Sequence, residues 1–159
     1  MSNYRLTTIP AGPERERLMP LLLLADESEQ QVRSYMHEGD LYAYANGEAV
    51  HGIVLAIGAA DGATELKAVA VTPELQRQGV GKRMLQAVLD DLRARGVRRV
   101  IVGTGNAGIG ELAYYQKAGF RLVGIERDFF SPARGYPEVM HDNGIRLRDM
   151  VWMEQWLDP

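Results

Sequence analysis

The sequence predicts a mixed α/β domain, and three observations carry that prediction. Residues 40–71 hold three stretches of alternating polarity separated by the turn signals Asn46-Gly47 and Asp61-Gly62, the pattern of an antiparallel meander. A glycine-bearing loop then opens a helix in which Val80, Met84, Leu85, Val88, Leu89 and Leu92 recur at spacings of three and four. Residues 99–102 follow as a short, β-branched, apolar run, which suits a strand buried in a parallel pair. Antiparallel pairing before the loop and strand–helix–strand alternation after it make a mixed sheet the simplest architecture.

Taken in order, residues 4–9 alternate enough for a first strand, stopped by Pro10-Ala11-Gly12. Residues 13–25 read as a helix with Glu14 and Glu16 near its start, interrupted at Pro20, which lacks the N–H and clashes with the preceding turn. Ser28 is placed as the N-cap of a second helix reaching about His37, closed by Gly39. Strands at 40–45, 49–59 and 64–71 form the meander, the last presenting Glu65, Lys67, Val69 and Val71 on one face. The helix from Val80 ends at Gly96. Beyond 99–102, glycines at 103, 105 and 108 open a turn, residues 109–118 form a helix capped by Gly119, and residues 120–126 form a strand. A long connection, 127–144, leads to a last strand at 145–153 and a short tail. Nothing repeats and no linker composition divides the chain, so residues 1–159 read as one domain.

Composition narrows the function classes. The chain has 159 residues, 46% of them hydrophobic and 25% charged, which is enough for one domain with a proper core. No apolar run approaches the roughly 20 residues of a membrane span, and the N-terminus lacks the pattern of a secretory signal. Neither a membrane nor an exported location is therefore expected. With no cysteine, disulfides, zinc–thiolate sites and cysteine nucleophiles are excluded, which suits a cytoplasmic protein. A net charge of −3 gives nucleic-acid binding no general electrostatic support. The three histidines are scattered, with no spacing that suggests a metal site.

The most informative stretch is Gln76-Arg77-Gln78-Gly79-Val80-Gly81. A strand feeding a glycine-bearing helix start is a device for holding an anion, because first-turn N–H groups lack helical partners and the helix dipole favours negative charge there. Arg77, Lys82 and Arg83 add cations around it. The spacing is neither a Walker motif nor a dinucleotide fingerprint. On the pattern alone, the alternative is a glycine turn with a solvated basic helix start.

Context extends the reading. Residues 69–85, VAVTPELQRQGVGKRML, resemble the acetyl-CoA-binding motif of the GNAT superfamily of N-acetyltransferases, a strand followed by Gln/Arg-x-x-Gly-x-Gly/Ala and a helix. Gln76, Gly79 and Gly81 fill its three positions. Residues 113–120, AYYQKAGF, resemble the same family's Leu-Tyr-x-Lys-x-Gly-Phe signature, and the order of elements matches over nearly the whole chain. The resemblance implies a central, mostly antiparallel sheet of six or seven strands with a splayed parallel pair, flanked by about four helices. It also implies acetyl-CoA as acyl donor, an amine as acceptor, direct transfer in a ternary complex, and a homodimer as the family-level expectation.

Roles follow position by position from that resemblance. Amides of Gln78, Gly79, Val80, Gly81 and Lys82, helped by Arg77, would hold the pyrophosphate. Backbone groups of Val69, Ala70 and Val71 would pair with the pantetheine arm. Tyr115 matches the tyrosine that protonates the departing thiolate, a role a phenol can fill at neutral pH; the alternative is a core aromatic on a helix with Leu112. Glu65 matches a strand position carrying a catalytic glutamate in several members, where it would deprotonate the amine; the alternative is a surface carboxylate pairing with Lys67. Many members place an asparagine seven residues before the tyrosine, against pantetheine. Here that position is Gly108, so either Asn106 serves through a longer loop or backbone near Gly108 and Ile109 makes the contact.

The acceptor side is less defined. Residues 128–143 mix Phe129, Phe130 and Tyr136 with Asp128, Glu138 and Asp142, which suits a cationic amine; Asp26, Glu27 and Glu29 are candidates for the opposite wall. A solvated or dimer-contact loop is the alternative. Two further readings stand beside the N-acetyltransferase: a non-catalytic CoA-binding or sensing module, and an acyltransferase using another acyl-CoA.

Overall fold

The computed structural model describes residues 3–159. The chain divides into two units, one running to Arg98 and taking in Leu157–Pro159, the other spanning Arg99–Trp156. In the first unit, β1 (Tyr4–Ile9), β2 (Asp40–Asn46), β3 (Ala49–Gly58) and β4 (Thr64–Val71) pair antiparallel in chain order, as the alternation predicts. Helices α1 (Pro13–Glu16), α2 (Met19–Ala25), α3 (Glu29–Tyr35) and α4 (Val80–Ala94) cover this sheet.

Both of its faces are buried. Leu22, Val32 and Met36 pack with Leu41, Ile53, Leu55, Ala68 and Ala70 into one apolar cluster. On the other face α4 buries Val80, Met84, Leu85, Val88, Leu89 and Leu92, each contributing about 1.5–3 kcal/mol. Gly52 makes room there: a Cβ would stand 2.6 Å from the Met84 sulfur and 3.2 Å from the Ala70 carbonyl oxygen. At the rim of α4, Tyr42 donates to Asp91 at 2.5 Å and accepts from Arg95. Burial, reinforced by Asp91, pushes the Tyr42 phenol up to about 12.

A buried arginine ties this unit together, and no sequence pattern marks it. Arg15 is 3% exposed and donates to the carbonyls of Ile9, Met36, Glu38 and Gly39 at 2.8–3.0 Å. Burial holds its guanidinium below its ordinary value, with Asp40 opposing that shift. An Arg15→Met change would strand those acceptors, each unmet buried group costing about 1–3 kcal/mol.

In the second unit, β5 (Arg99–Gly105), β9 (Met150–Trp156) and β6 (Arg121–Glu126) pair antiparallel in that spatial order. Helix α5 (Ile109–Lys117) connects β5 to β6, and β7 (His141–Asp142) and β8 (Ile145–Arg146) form a separate hairpin. The β6 strand is exposed and apolar, with Leu122 at 56% and Ile125 at 65% exposure.

Several expected boundaries move. The stretch 13–25 is two helices broken at Arg17–Leu18, ahead of Pro20, because proline is accommodated in the first turn of α2. Ser28 caps α3 as expected, accepting from the Gln31 N–H at 3.2 Å, but α3 ends at Tyr35. Gly39 has φ +55°, and a Cβ there would meet the Ala56 carbonyl at 2.2 Å. The parallel-strand candidate at 99–102 runs on to Gly105, and the expected strand at 145–153 is instead the end of a hairpin and a separate β9 that takes in half of the tail. Asn143 and Gly144 both have positive φ, so Asn-Gly makes the tight turn here. That dipeptide was visible in the sequence. Among the described residues there are five α-helices, α1 being a single turn, against the expected number of about four.

One correction bears on the site. Leu66 opposes Ala56 while Ala68 opposes Leu55, so Lys67 is an extra residue, a β-bulge in β4. Directly opposed residues share a face, so the bulge reverses the alternation. Glu65 opposes Ile57 and Lys67 lies over Tyr35, both on the α2–α3 side, whereas Val69 and Val71 oppose Val54 and Gly52 on the α4 side. The four do not share one face.

Candidate functional site

The loop after β4 has the geometry its composition predicts. Pro73–Leu75 form a single 3-10 turn, Arg77 and Gly79 take positive φ (+66° and +80°), and α4 starts at Val80 without a side-chain cap. Gly79 is thus needed for its backbone conformation, and Arg77 holds a conformation costly for a residue with a Cβ. Two glutamines brace the loop: Gln76 donates to the Val71 carbonyl at 3.0 Å and Gln78 to the Glu74 carbonyl at 2.8 Å. Gln76 therefore shapes the loop by holding it to the end of β4. Among the described residues, Arg77, Lys82 and Arg83 are exposed and form no ion pair, whereas Arg95, Arg99 and Arg134 each have a carboxylate. Thr72 at the start of the loop has a buried hydroxyl with no partner.

Along β4, Val69, Ala70 and Val71 oppose Val54, Ile53 and Gly52 on the β3 side. Glu65 is half-buried, and Lys67 stands 5.1 Å from the Tyr35 ring centre. Among the described residues Glu65 forms no ion pair, so the pairing with Lys67 considered above does not form.

In the second unit, Tyr115 is 6% exposed on α5, edge-on to Phe120 at 5.8 Å and to Tyr114 at 5.0 Å. Burial, with Tyr114 and Glu111 adding to it, pushes its phenol far above the ordinary tyrosine value, so it carries its proton throughout the neutral range. The structure thus gives it features of both readings, a packed aromatic and a phenol that stays protonated.

The turn before α5 is consumed by the chain itself. The Gly108 and Ile109 N–H groups donate within the turn, to Gly105 and Ala107. The Asn106 side chain accepts from the Arg148 and Asp149 N–H groups at 2.9 and 3.0 Å and donates to the Arg146 carbonyl at 3.0 Å. Its own N–H donates to the Asp149 carbonyl, and Asn143 donates to the Ala107 carbonyl.

Among the described residues an open cavity lies in each unit. In the first, about 750 Å³ is floored by apolar side chains such as Leu18, Leu21 and Val50 and rimmed by Glu14, Glu48 and Glu74. In the second, about 370 Å³ is walled by Asp128, Phe130, Glu138, Arg146 and Arg148. The aromatic cluster expected to receive a cation already has one. Arg134 sits 4.2 Å from the Phe129 ring centre and pairs with Glu126 at 2.6 Å. Asp26 and Glu29 are likewise engaged, by Tyr35 and Arg33. Among the described residues no group of three or more His, Asp or Glu is placed to hold a metal ion, and no helix is long and apolar enough to cross a membrane.

Comparison with known proteins identifies the family. Residues 4–120 match the acetyltransferase (GNAT) family. The chain belongs to that family. It is 35% identical over 150 residues to the uncharacterised N-acetyltransferase YvbK of Bacillus subtilis, covering 94% of this chain and 96% of the other. A GNAT family acetyltransferase from Elizabethkingia anophelis, solved with acetyl-CoA bound, superposes with a TM-score of 0.89 at 32% identity, over 99% and 100% of the two chains. A Bacillus subtilis acetyltransferase in complex with CoA gives 0.87 at 33% identity, over 98% and 99%. The chain is accordingly an acyl-CoA-dependent N-acetyltransferase with the mixed α/β fold of that family.

Proposed function

We propose that residues 1–159 act as a single domain that moves an acetyl group from acetyl-CoA to a primary amine by direct transfer in a ternary complex. The observation that carries the cofactor half is the uncapped start of α4, flanked by three cations that have no carboxylate partner among the described residues. In this reading Gln78 to Lys82 and Arg77 take the pyrophosphate, shaped by Gln76, and the β4 backbone at 69–71 takes the pantetheine arm. Asn106, Gly108 and Ile109 have polar groups engaged within the protein, so they are assigned no cofactor contact.

Glu65 is the base that takes the ammonium proton, directly or through water. The deprotonated amine attacks the thioester carbonyl and the C–N bond forms; as the C–S bond breaks, Tyr115 gives its proton to the thiolate and is reprotonated by the proton that the acylated nitrogen sheds. The absence of cysteine supports direct transfer, since no thiol can carry the acetyl group. A small cationic amine is supported as acceptor by the three carboxylates rimming the first unit's cavity, against a single Arg17. Cytoplasmic location is supported by the cysteine-free composition, and a homodimer by the uncovered apolar strand β6.

Calorimetry and thermal melts with acetyl-CoA test the first half. A ligand at a hundred times its Kd stabilises by about 2.7 kcal/mol, so an unchanged Tm with both acetyl-CoA and CoA would sink the proposal. A panel of polyamines, aminoglycosides, simple alkylamines and peptide N-termini, scored by CoA release, tests the second. Background hydrolysis alone across the panel would favour a sensing module. Light scattering at rising concentration decides the dimer.

A further inference from the structure

The densest polar contact in the second unit involves Asn106, and it points away from the role the asparagine was expected to have. Three of its four side-chain hydrogen-bonding positions are used on one short segment, 146–149: both carbonyl lone pairs and one of the two amide hydrogens. Its backbone N–H adds a fourth bond to the same segment, at 2.9 Å. On either side of it the chain is arranged for the same contact. Gly105 has no side chain, and a Cβ there would stand 2.3 Å from the Leu147 side chain and 3.4 Å from the Phe130 ring. Asn143, in the β7–β8 hairpin turn, reaches back to the Ala107 carbonyl at 2.9 Å.

The segment so held lines the 370 Å³ cavity: Arg146, Leu147 and Arg148 share its lining with Asp128, Phe130 and Glu138, and the Phe130 N–H donates to the Arg148 carbonyl at 3.0 Å. Neither Arg146 nor Arg148 forms an ion pair among the described residues, so the two guanidinium groups depend on backbone contacts for their position. An arginine's long side chain is mobile, and only a fixed Cα gives it a fixed reach.

We propose that Asn106 is a positioning residue: it latches segment 146–149 onto the β5–α5 turn and so sets the wall of this cavity, without touching the cofactor. The latch itself is a property of the fold; its separation from cofactor binding rests on the acetyl-CoA reading above.

The test measures amide exchange and cofactor binding in the same variants. In Asn106→Ala, the Arg148 and Asp149 amides lose their acceptor, and their exchange should quicken by about ten-fold or more relative to the wild-type chain, while the acetyl-CoA Kd stays within about two-fold. Asn106→Asp retains an acceptor for both amides and loses only the donor to Arg146, so it should restore most of the protection. Should the alanine variant unfold, Asn106→Ser, whose short hydroxyl cannot replace both bonds, carries the same comparison. Unchanged exchange at Arg148 and Asp149 would overturn the latch. A Kd raised ten-fold or more with protection intact would make Asn106 a cofactor ligand and overturn it equally. If the wild-type chain itself binds no acetyl-CoA, the functional proposal fails, and the exchange arm still decides the latch.

Discussion

The chain contains two glycine-bearing turns that each open a helix, and they end in opposite states. Neither helix start has a side-chain cap, but the turn at 76–81 surrounds α4 with Arg77, Lys82 and Arg83, which form no ion pair among the described residues. The turn at 103–108 gives its polar groups to the protein: Asn106 to 146–149, the Ala107 carbonyl to Asn143, and the Gly108 N–H to Gly105. Glycine serves differently in each. Gly79 is required for a positive φ, while Gly105 makes room for Leu147. Glycine spacing marks a place where something must come close to the backbone, but it does not say whether that is a ligand or the chain's own next segment.

If the first turn binds and the helix after the second transfers, mutations should separate the two. The largest effect is expected from Tyr115→Phe, which should lower kcat by about 10²–10⁴-fold with the acceptor found in the amine screen, leaving acetyl-CoA affinity nearly constant. An unchanged kcat would return Tyr115 to the core. Next, Gly79→Ala should weaken acetyl-CoA binding by about ten-fold or more, since an alanine resists φ +80° by about 1–2 kcal/mol and tilts the N–H groups away. Gly105→Ala should do the reverse, costing about 1–3 kcal/mol of stability through overpacking against Leu147 while binding holds within about two-fold. Calorimetry and denaturant melts on the pair check both statements; equal losses of affinity would erase the distinction between the turns.

A smaller effect concerns salt. If the cations of the first turn meet phosphate, acetyl-CoA affinity should fall between about 0.05 and 0.5 M salt, and Arg77→Ala or Lys82→Ala should each flatten that dependence. No change in slope would place these side chains in solvent only. The smallest expected effect is on stability in alkali. Buried Tyr42 and Tyr115 and half-buried Tyr114 have phenols raised above the ordinary value, Tyr42 to about 12. A raised folded value means stability that is fully present below about pH 10, where unfolded tyrosine is still neutral, and lost as pH rises through the folded values. Thermal melts at pH 8, 9 and 11 should show almost no loss over the first step and a falling Tm over the second.

Local chemistry alone determined much of this protein. The meander, the loop and both long helices follow from turn dipeptides, glycine and apolar spacing, because each is specified by interactions within a few residues. The two GNAT motifs are likewise contiguous, so the family was legible before any coordinate. What the tertiary structure decided involves residues far apart in sequence. The Lys67 bulge exists because β4 is registered against β3, and it alone sends Glu65 and Val69 to opposite faces. Arg15 looks like any surface arginine until its four carbonyl partners, six to twenty-four positions away, gather around it. Asn106 is a turn residue on the page of the sequence and a latch in the fold, because its partners lie forty or more residues on. A buried polar group is defined by what is brought to it, and only the folded chain brings it.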